Sequence, residues 1–359
     1  MVNKKTILFV IPSLSNGGAE RVVSRISSAL SNKNYDVNVL TFYNTDKDYD
    51  IDDKVKVTNL SNGDLKTYKG IGILKRLKLI KKYIKNTKPD VIFPFLDHVF
   101  IFVMLSIFFT KYRKKTSFLI RNNISFQSRK IRFLLKLLVP FASKIIAQNN
   151  GQKESLSKGK QKKTFVIPNP IDEKYFKYDK KLSEVPKYIV SIGRLEKQKN
   201  YKLSLSAFAN VSKKYSDLKY IIYGKGSLLE ELNDFCKQLD ITSKVEFRGF
   251  ITNKEKIYSD CDIFVLSSDY EGMPNSLIES LAIGVPSIST DCKYGPKEII
   301  VDPRIGILLE NNSVRNMELA FERMIKNYQY YAENINYRKE FMRNNYSIDK
   351  IVSLWVDIF

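Results

Sequence analysis

Imidazole is nearly absent from this 359-residue chain, whose one histidine is His98. That excludes a metal centre built from several histidines and any mechanism that needs two imidazoles. Its three cysteines, Cys236, Cys261 and Cys292, are too scattered for a zinc cluster and too few for a disulfide framework, as expected of a reducing cytoplasm. Long apolar runs are missing as well. In Val91–Thr110, Pro94, Asp97 and His98 interrupt the pattern and leave Val99–Phe109, well short of the ~20 residues of a spanning helix. A buried helix, or one dipping into an interface, is expected there. Met1–Lys5 runs straight into a strand-like Thr6–Ile11 with no signal-peptide pattern, so no cleaved leader is expected.

Acidic residues are scarce in one half only. Residues 1–170 hold 32 Lys and Arg against 11 Asp and Glu, a net of +21. Residues 171–359 hold 28 against 27, a net of +1. The excess concentrates in Lys69–Lys88 and Lys111–Lys144, where cations alternate with apolar residues at helical spacing: Ile71, Leu74, Leu77, Ile80 and Ile84, then Ile131, Leu134, Leu135 and Leu138. Basic amphipathic segments suit an anionic membrane surface. Solvated helix faces and nucleic acid are the competing readings. The near-neutral second half argues against general lysine enrichment, and a membrane surface rather than nucleic acid is the expected partner.

With 43% apolar residues the chain can bury two cores. Strand-like runs at Thr6–Ile11, Val37–Phe42, Val55–Leu60, Val91–Phe95, Thr116–Ile120 and Ile145–Gln148 alternate with amphipathic stretches. The cycle then restarts at Tyr188–Ile192, Lys219–Tyr223, Val245–Phe247, Ile263–Ser267 and Ser287–Thr290. Such alternation predicts an α/β protein of two doubly wound parallel sheets. Ile167-Pro168-Asn169-Pro170-Ile171-Asp172 reads as the linker, giving domains over 1–172 and 173–340. Residues 341–359, with Ile348, Ile351, Val352, Trp355 and Ile358 on one face of the last element, should pack back on the first domain. Ligands on such sheets bind beyond the strands' carboxyl ends, which points to a cleft between the domains.

Three motifs follow strands. Gly17 and Gly18, in Pro12-Ser13-Leu14-Ser15-Asn16-Gly17-Gly18-Ala19-Glu20, let backbone approach a ligand where a helix begins. Their spacing matches neither GxGxxG nor GxxxxGK[ST], which disfavours a dehydrogenase or P-loop enzyme. Arg194 and Lys199, in Gly193-Arg194-Leu195-Glu196-Lys197-Gln198-Lys199-Asn200, combine a planar fork with a point charge, as a diphosphate would need. Glu271 and Glu279 stand eight positions apart in Tyr270-Glu271-Gly272-Met273-Pro274-Asn275-Ser276-Leu277-Ile278-Glu279. A helix starting near Pro274 and Asn275 should leave the Ser276 and Leu277 amides free for phosphate oxygens. Glu279, one turn into an otherwise apolar helix, needs a partner, and could accept hydrogen bonds from vicinal hydroxyls. Asp260-Cys261-Asp262 has the look of a metal-binding DxD, but its place just before a strand favours a capping or sheet-edge role.

Taken in order, GRLEKQKN, IYGKGSLLEEL, VEFRGF, YSDCDIFVLSS, YEGMPNSLIESLAIGVPSIST and GILLENNS resemble the retaining glycosyltransferases of family 4, which have the GT-B fold. The likeness covers essentially the whole chain and is strongest over residues 188–310. It implies two Rossmann-like domains facing a cleft, the first holding acceptor and the second a nucleotide sugar, with UDP the favoured nucleotide and no metal or other cofactor. By that resemblance Glu271 serves the donor sugar, Glu279 the ribose, and Arg194 with Lys199 the diphosphate. Gly272, Met273, Ser276 and Leu277 would hold sugar and phosphates by their amides, Gly17 and Gly18 would close on the diphosphate, and the turn at Phe250 would take the base. Fixed cations and helix N-termini would then stabilise the departing nucleoside diphosphate.

Many relatives carry a histidine where this chain has Ile120-Arg121-Asn122-Asn123. Arg-Asn at that place implies the subgroup acting on lipid-linked oligosaccharides, with Arg121, Asn122 and His98 as candidate acceptor or sugar contacts. The expected setting is the inner face of the plasma membrane, with a polyprenyl-diphosphate-linked saccharide as acceptor. A nucleotide-sugar 2-epimerase of the same architecture is the enzyme alternative, disfavoured by the single histidine. A non-catalytic sugar-nucleotide binder is the other.

Overall fold

The computed structural model describes residues 4–15, 17–43, 49–60, 71–121, 127–178, 180–181, 183–251 and 254–359. Asn122 and Asn16 lie outside them. The chain forms two compact units, Met1–Pro170 with Ile348–Phe359, and Ile171–Ser347.

In the first unit β1 (Thr6–Ile11), β2 (Asp36–Thr41), β3 (Lys56–Asn59) and β4 (Val91–Pro94) form a sheet in the order β3-β2-β1-β4, every pairing parallel. A second parallel sheet follows in the order β5-β6-β7, from β5 (Phe118–Leu119), β6 (Ile145–Ala147) and β7 (Thr164–Val166). A single parallel bridge from Ile92 to Thr116 joins the two sheets edge to edge. Helices cover both faces, as runs such as Ile7–Ile11 require, being buried on either side. The helix α1 (Gly18–Asn32) presents Val22, Val23, Ile26 and Leu30 to one face. On the other face lie α2 (Ile71–Thr87), through Ile80 and Ile84, and α3 (Asp97–Ile107), through Val99 and Val103. Beyond them α4 (Arg129–Leu138) packs on α3.

The second unit has one six-stranded parallel sheet: β8 (Tyr188–Ile192), β9 (Lys219–Tyr223), β10 (Val245–Phe247), β11 (Ile263–Leu266), β12 (Ser287–Ser289) and β13 (Gly306–Leu308). Their order is β10-β9-β8-β11-β12-β13. Strand order therefore reverses between β8 and β11, as it does between β1 and β4 in the first unit. At such a reversal the two following loops part and leave a crevice at the strand ends. After β8 comes α5 (Tyr201–Lys214), and after β11 comes α6 (Asn275–Ile283).

Only the last part of the expected terminal segment returns to the first unit. Residues 341–347 belong to α7 (Ile335–Tyr346) and its cap, because Met342 and Tyr346 are buried in the second unit's core beside α6. From Ile348 onward α8 (Ile348–Val356) packs on α1, and Trp355 inserts among Phe9, Phe93 and Phe95. No described helix is long and apolar enough to cross a membrane.

Candidate active site

In the second unit the loops after β8 and β11 are laced together by polar bonds. The Asp269 amide donates to the Gln198 carbonyl at 2.9 Å, and the Gln198 side-chain amide donates to the Tyr270 carbonyl at 2.9 Å. Ser267 Oγ donates to the Lys199 carbonyl at 2.8 Å, and Asn200 Nδ2 to Asp269 Oδ1 at 2.6 Å. Asn200 itself sits in the left-handed region with φ 43°, where Asn is better tolerated than most residues, and turns the chain into α5.

This lacing brings together two of the expected residues, 72 positions apart. Lys199 Nζ lies 2.6 Å from Glu271 Oε1, and Ser268 Oγ donates to the same oxygen at 2.6 Å. Both charged side chains are largely buried, at 14% and 8% exposure. Gly193 makes room for the lysine stem, since a Cβ there would stand 2.8 Å from Lys199 Cε. Gly224 is required for a different reason: any Cβ there would collide with the Gly193 carbonyl, so the ends of β8 and β9 could not approach. A charge pair at this depth is oriented by its surroundings and weakly screened by solvent.

Arg194 stands apart from that pair. Its side chain is exposed and donates to Gln198 Oε1 at 3.3 Å, which connects it to the cross-loop network. Glu279 is buried at 1%, and Tyr258 supplies the partner its position demands: the phenol donates to Glu279 Oε2 at 3.1 Å and lies 3.0 Å from the Ser276 carbonyl. Phe250 is 58% exposed on the turn after β10, where Gly249 takes φ 67° and its carbonyl receives the Gly224 amide. Gly272 and Met273 are half-buried in the loop preceding α6.

One expectation at the start of α6 is corrected. The Leu277 amide is not free, because it donates to the Pro274 carbonyl at 3.1 Å, which tightens the first turn; Ile278 donates to the same oxygen at 3.2 Å. The Ser276 amide has no backbone acceptor among the described residues. Asp262 caps the start of β8: its Oδ2 accepts from the Lys187 and Tyr188 amides at 2.8 and 2.9 Å, and its Oδ1 from Ser183 at 2.8 Å. Beside the ion pair, burial and the Glu271 carboxylate push the Cys292 thiol up to about 12, so it is no nucleophile at neutral pH.

In the first unit the corresponding reversal carries Gly17 and Gly18 after β1, and Asp97 and His98 after β4. Gly17 is extended and caps α1, and the Glu20 carboxylate folds against it where a Cβ would otherwise stand. The anion place at that helix N-terminus is therefore filled by the chain's own carboxylate, whose pKa burial raises. Arg121 stacks on Phe95 at 4.3 Å and donates to Asn169 Oδ1 at 2.6 Å, while its Nε has no partner among the described residues. Burial lowers its pKa to about 9. His98 is exposed; desolvation and the Arg76 charge lower its pKa.

Sequence reasoning passes over Asp97 as a site residue. Its side chain is 5% exposed, Gln127 donates to Oδ2 at 2.5 Å, and Oδ1 has no partner among the described residues. Burial pushes its carboxyl up to about 6, with the Gln127 bond acting in the opposite direction. The folded state thus holds a proton between the ordinary carboxylate value and about 6, where the unfolded chain has released it. Stability must fall as pH rises through that window, by about 3 kcal/mol for roughly two pKa units. Asp97→Asn should accordingly melt higher than the wild type at about pH 7.5 and level with it near pH 4. Equal differences in Tm at both pH values would refute this.

Two family models together span nearly the whole chain. One described as Glycosyltransferase Family 4 matches residues 16–175, and one described as Glycosyl transferases group 1 matches residues 172–343. A Campylobacter jejuni protein named N-acetylgalactosamine-N,N'-diacetylbacillosaminyl-diphospho-undecaprenol 4-alpha-N-acetylgalactosaminyltransferase is 32% identical, covering 88% of this chain and 89% of its own. The amylovoran biosynthesis glycosyltransferase AmsD of Erwinia amylovora is 27% identical over 90% and 92%. Among solved structures, Anabaena Alr3699/HepE in complex with UDP and glucose superposes with a TM-score of 0.79, over 98% of both chains at 17% identity. The last of these speaks to the fold, which is GT-B.

Proposed function

The chain belongs to the family 4 glycosyltransferases, and from that premise we propose a retaining transfer of a hexosyl or N-acetylhexosaminyl group from a UDP-sugar to a lipid-linked saccharide. The transfer would serve cell-surface polysaccharide synthesis and need no metal or other cofactor. Relatives named for undecaprenol-linked acceptors and for amylovoran biosynthesis support the acceptor class. What carries the reading is the buried Lys199–Glu271 pair at the strand-order reversal of the second unit.

The chemistry follows from charge. As the bond between the anomeric carbon and the diphosphate breaks, its electron pair leaves with the nucleotide and positive charge gathers on the sugar ring. Lys199 and Arg194 oppose the first development, and Glu271 the second. Glu279 and Tyr258 hold a rigid polar floor for the ribose, and the exposed Phe250 offers a face for the base. The Ser276 amide, at a helix N-terminus, is a fixed donor for a phosphate oxygen. A single histidine leaves the epimerase alternative short of acid and base groups.

Nucleotide choice is tested by thermal shift with UDP, GDP and ADP, followed by a panel of UDP-sugars. UDP at a hundredfold excess over its Kd should stabilise the protein by about 2.7 kcal/mol, and the other two nucleotides by much less. A larger shift with GDP or ADP would overturn the UDP assignment. Turnover of a UDP-sugar separates a transferase from a binder.

The charge split supports an anionic inner leaflet, and no nucleic acid, as the surface the first unit faces. Flotation with phosphatidylglycerol-containing vesicles at low salt tests it, and failure to float would remove the membrane from the proposal.

A further inference from the structure

Of the helical apolar residues of the two basic stretches, Leu74 of α2 stays 66% exposed, while most of the other described ones are buried or half-buried against the core. Ile80 and Ile84 of α2 are fully buried, and Leu135 and Leu138 of α4 are 2% and 6% exposed. Ile131 and Leu134 pack against the same cluster. A helix that spends its apolar face inward has nothing left for a bilayer unless it carries a second apolar stripe.

One exists on α4. Phe133 and Leu137, four residues apart, are 61% and 50% exposed, and Phe141, four further on at the end of the short turn Val139–Phe141, is 45% exposed. Residues at that spacing share a helix face. On the neighbouring α3, Leu105 is 45% exposed, and Phe109, just past its end, is 96% exposed. The two sets meet: the Phe108 ring lies 5.3 Å from Phe109 and 5.1 Å from Phe141, and the Arg113 guanidinium lies 5.0 and 5.1 Å from Phe108 and Phe141. Scattered exposed apolar residues are normal, but a contiguous aromatic and leucine patch on one unit is not.

The surrounding charge names the occupant. Between Asp97 and Glu154 there is no acidic residue, while 11 Lys and Arg occur, Arg113, Lys114, Arg129, Lys130, Arg132 and Lys136 among them. A second copy of the chain would bring like charge against like. An anionic bilayer satisfies both halves, since phenylalanine and leucine enter the boundary of headgroups and acyl chains while the cations stay with the lipid phosphates.

We propose that Phe109, Phe133, Leu137 and Phe141 insert into an anionic bilayer, so that the first unit is held by apolar penetration as well as by charge. This rests on the membrane reading above and says how the surface is engaged. Attraction by charge alone is screened within about 3 Å at 1 M salt, whereas apolar insertion is not.

The test uses the full chain and vesicles of phosphatidylcholine with phosphatidylglycerol, sedimented at about 0.1 and 1 M salt. Wild type should bind at both, more weakly at the higher. The triple variant Phe109→Ser/Phe133→Ser/Leu137→Ser should bind at least roughly tenfold more weakly at the lower salt and not at all at the higher. Its far-UV melt should match wild type, because the three side chains are exposed. Lys130→Ser/Lys136→Ser should instead weaken binding at the lower salt and barely change it at the higher. In a second arm, the Phe133→Trp variant should show vesicle-dependent blue-shifted fluorescence quenched by brominated acyl chains, over the constant signal of the buried Trp355. Binding by the triple variant equal to wild type at both salts, or no blue shift from the Phe133→Trp variant, would overturn insertion while leaving the charge-based reading intact. Absence of wild-type binding at the lower salt would overturn both. A wild-type dimer in sedimentation that the triple variant loses would show that the patch is a protein interface and refute the proposal.

Discussion

Glu271→Gln should lower turnover of the UDP-sugar by roughly 10²–10³-fold, assayed well below a melting temperature that itself falls because Lys199 loses its buried counter-charge. The glutamine is isosteric, and its oxygen can still accept from Lys199 Nζ and Ser268 Oγ, which both reach Glu271 Oε1 at 2.6 Å. What it removes is the negative charge that the proposed transfer sets against a sugar ring becoming positive on the way to the transition state. A loss of that size corresponds to about 3–4 kcal/mol of transition-state stabilisation, the range for one preorganised electrostatic group. If Glu271→Gln turned over within twofold of wild type, the carboxylate would be structural and the transferase reading would lose its central residue.

Lys199→Ala is the less clean experiment, for a reason visible only in the structure. It would strand a buried carboxylate with one hydroxyl donor, and breaking a buried pair on one side costs about 3–5 kcal/mol of stability. Lost activity would then mix chemistry with unfolding. A cycle comparing Lys199→Met, Glu271→Gln and the double variant separates the two. Stability of Lys199→Met should recover in part when Glu271 is neutral, whereas turnover should not recover at all if Lys199 is the cation that the proposed transfer sets against the leaving diphosphate.

The fold is legible because parallel strands buried on both faces read as uninterrupted β-branched and aromatic runs. Thr6–Ile11, Tyr188–Ile192, Lys219–Tyr223 and Val245–Phe247 coincide with their strands to the residue. The strands not anticipated, β7 and β13, are three residues long and lie at the end of their sheets, where burial on one side suffices and the apolar signal shrinks. Residues 341–347 are assigned to the wrong unit because sequence periodicity shows that a face is apolar but not which core it enters.

The site is legible in its residue types and less so in its contacts. Basic and acidic side chains after β8 and β11 can be named from loop position, and the need of Glu279 for a partner follows from its apolar helix. That the partner is Tyr258, and that Lys199 lies on Glu271 and Arg194 does not, depends on bonds between loops such as Gln198 to Tyr270 and Asn200 to Asp269. Polar loop residues have many candidate partners at long separation, and no periodicity selects among them. Leu277 is misread for a local reason: its amide turns back onto Pro274, and first-turn closure of that kind leaves no mark in composition. Asp97 is visible as an acid, but that its Oδ1 has no partner among the described residues is a property of three-dimensional packing.

Arg338 sets the second large expectation, this time in stability. It is fully buried, and its guanidinium makes four hydrogen bonds to three backbone carbonyls. Nε and Nη2 reach the Gly284 carbonyl at 3.1 and 2.8 Å, Nη1 the Arg304 carbonyl at 3.0 Å, and Nη2 the Tyr331 carbonyl at 2.6 Å. Gly284 ends α6 in the left-handed conformation at φ 103°, so the arginine ties the far end of the helix that begins beside Glu271. Burial lowers the Arg338 pKa to about 9, which leaves it charged at neutral pH, and its charge is balanced by the negative ends of peptide dipoles. Arg338→Met fills a similar volume but leaves the buried Gly284 and Tyr331 carbonyls and the half-buried Arg304 carbonyl without this donor, at about 1–3 kcal/mol for each buried one. Allowing for relaxation, a loss of about 3–5 kcal/mol is expected, or roughly 10 °C in the melt of a unit of this size. Arg338→Lys should recover little, because an ammonium on a flexible stem cannot reproduce a planar fork serving three directions. Thermal and urea unfolding of the two variants measure this directly. A methionine variant as stable as wild type would mean that α6 is held by its apolar contacts alone and that the guanidinium is dispensable to the helix that begins beside Glu271.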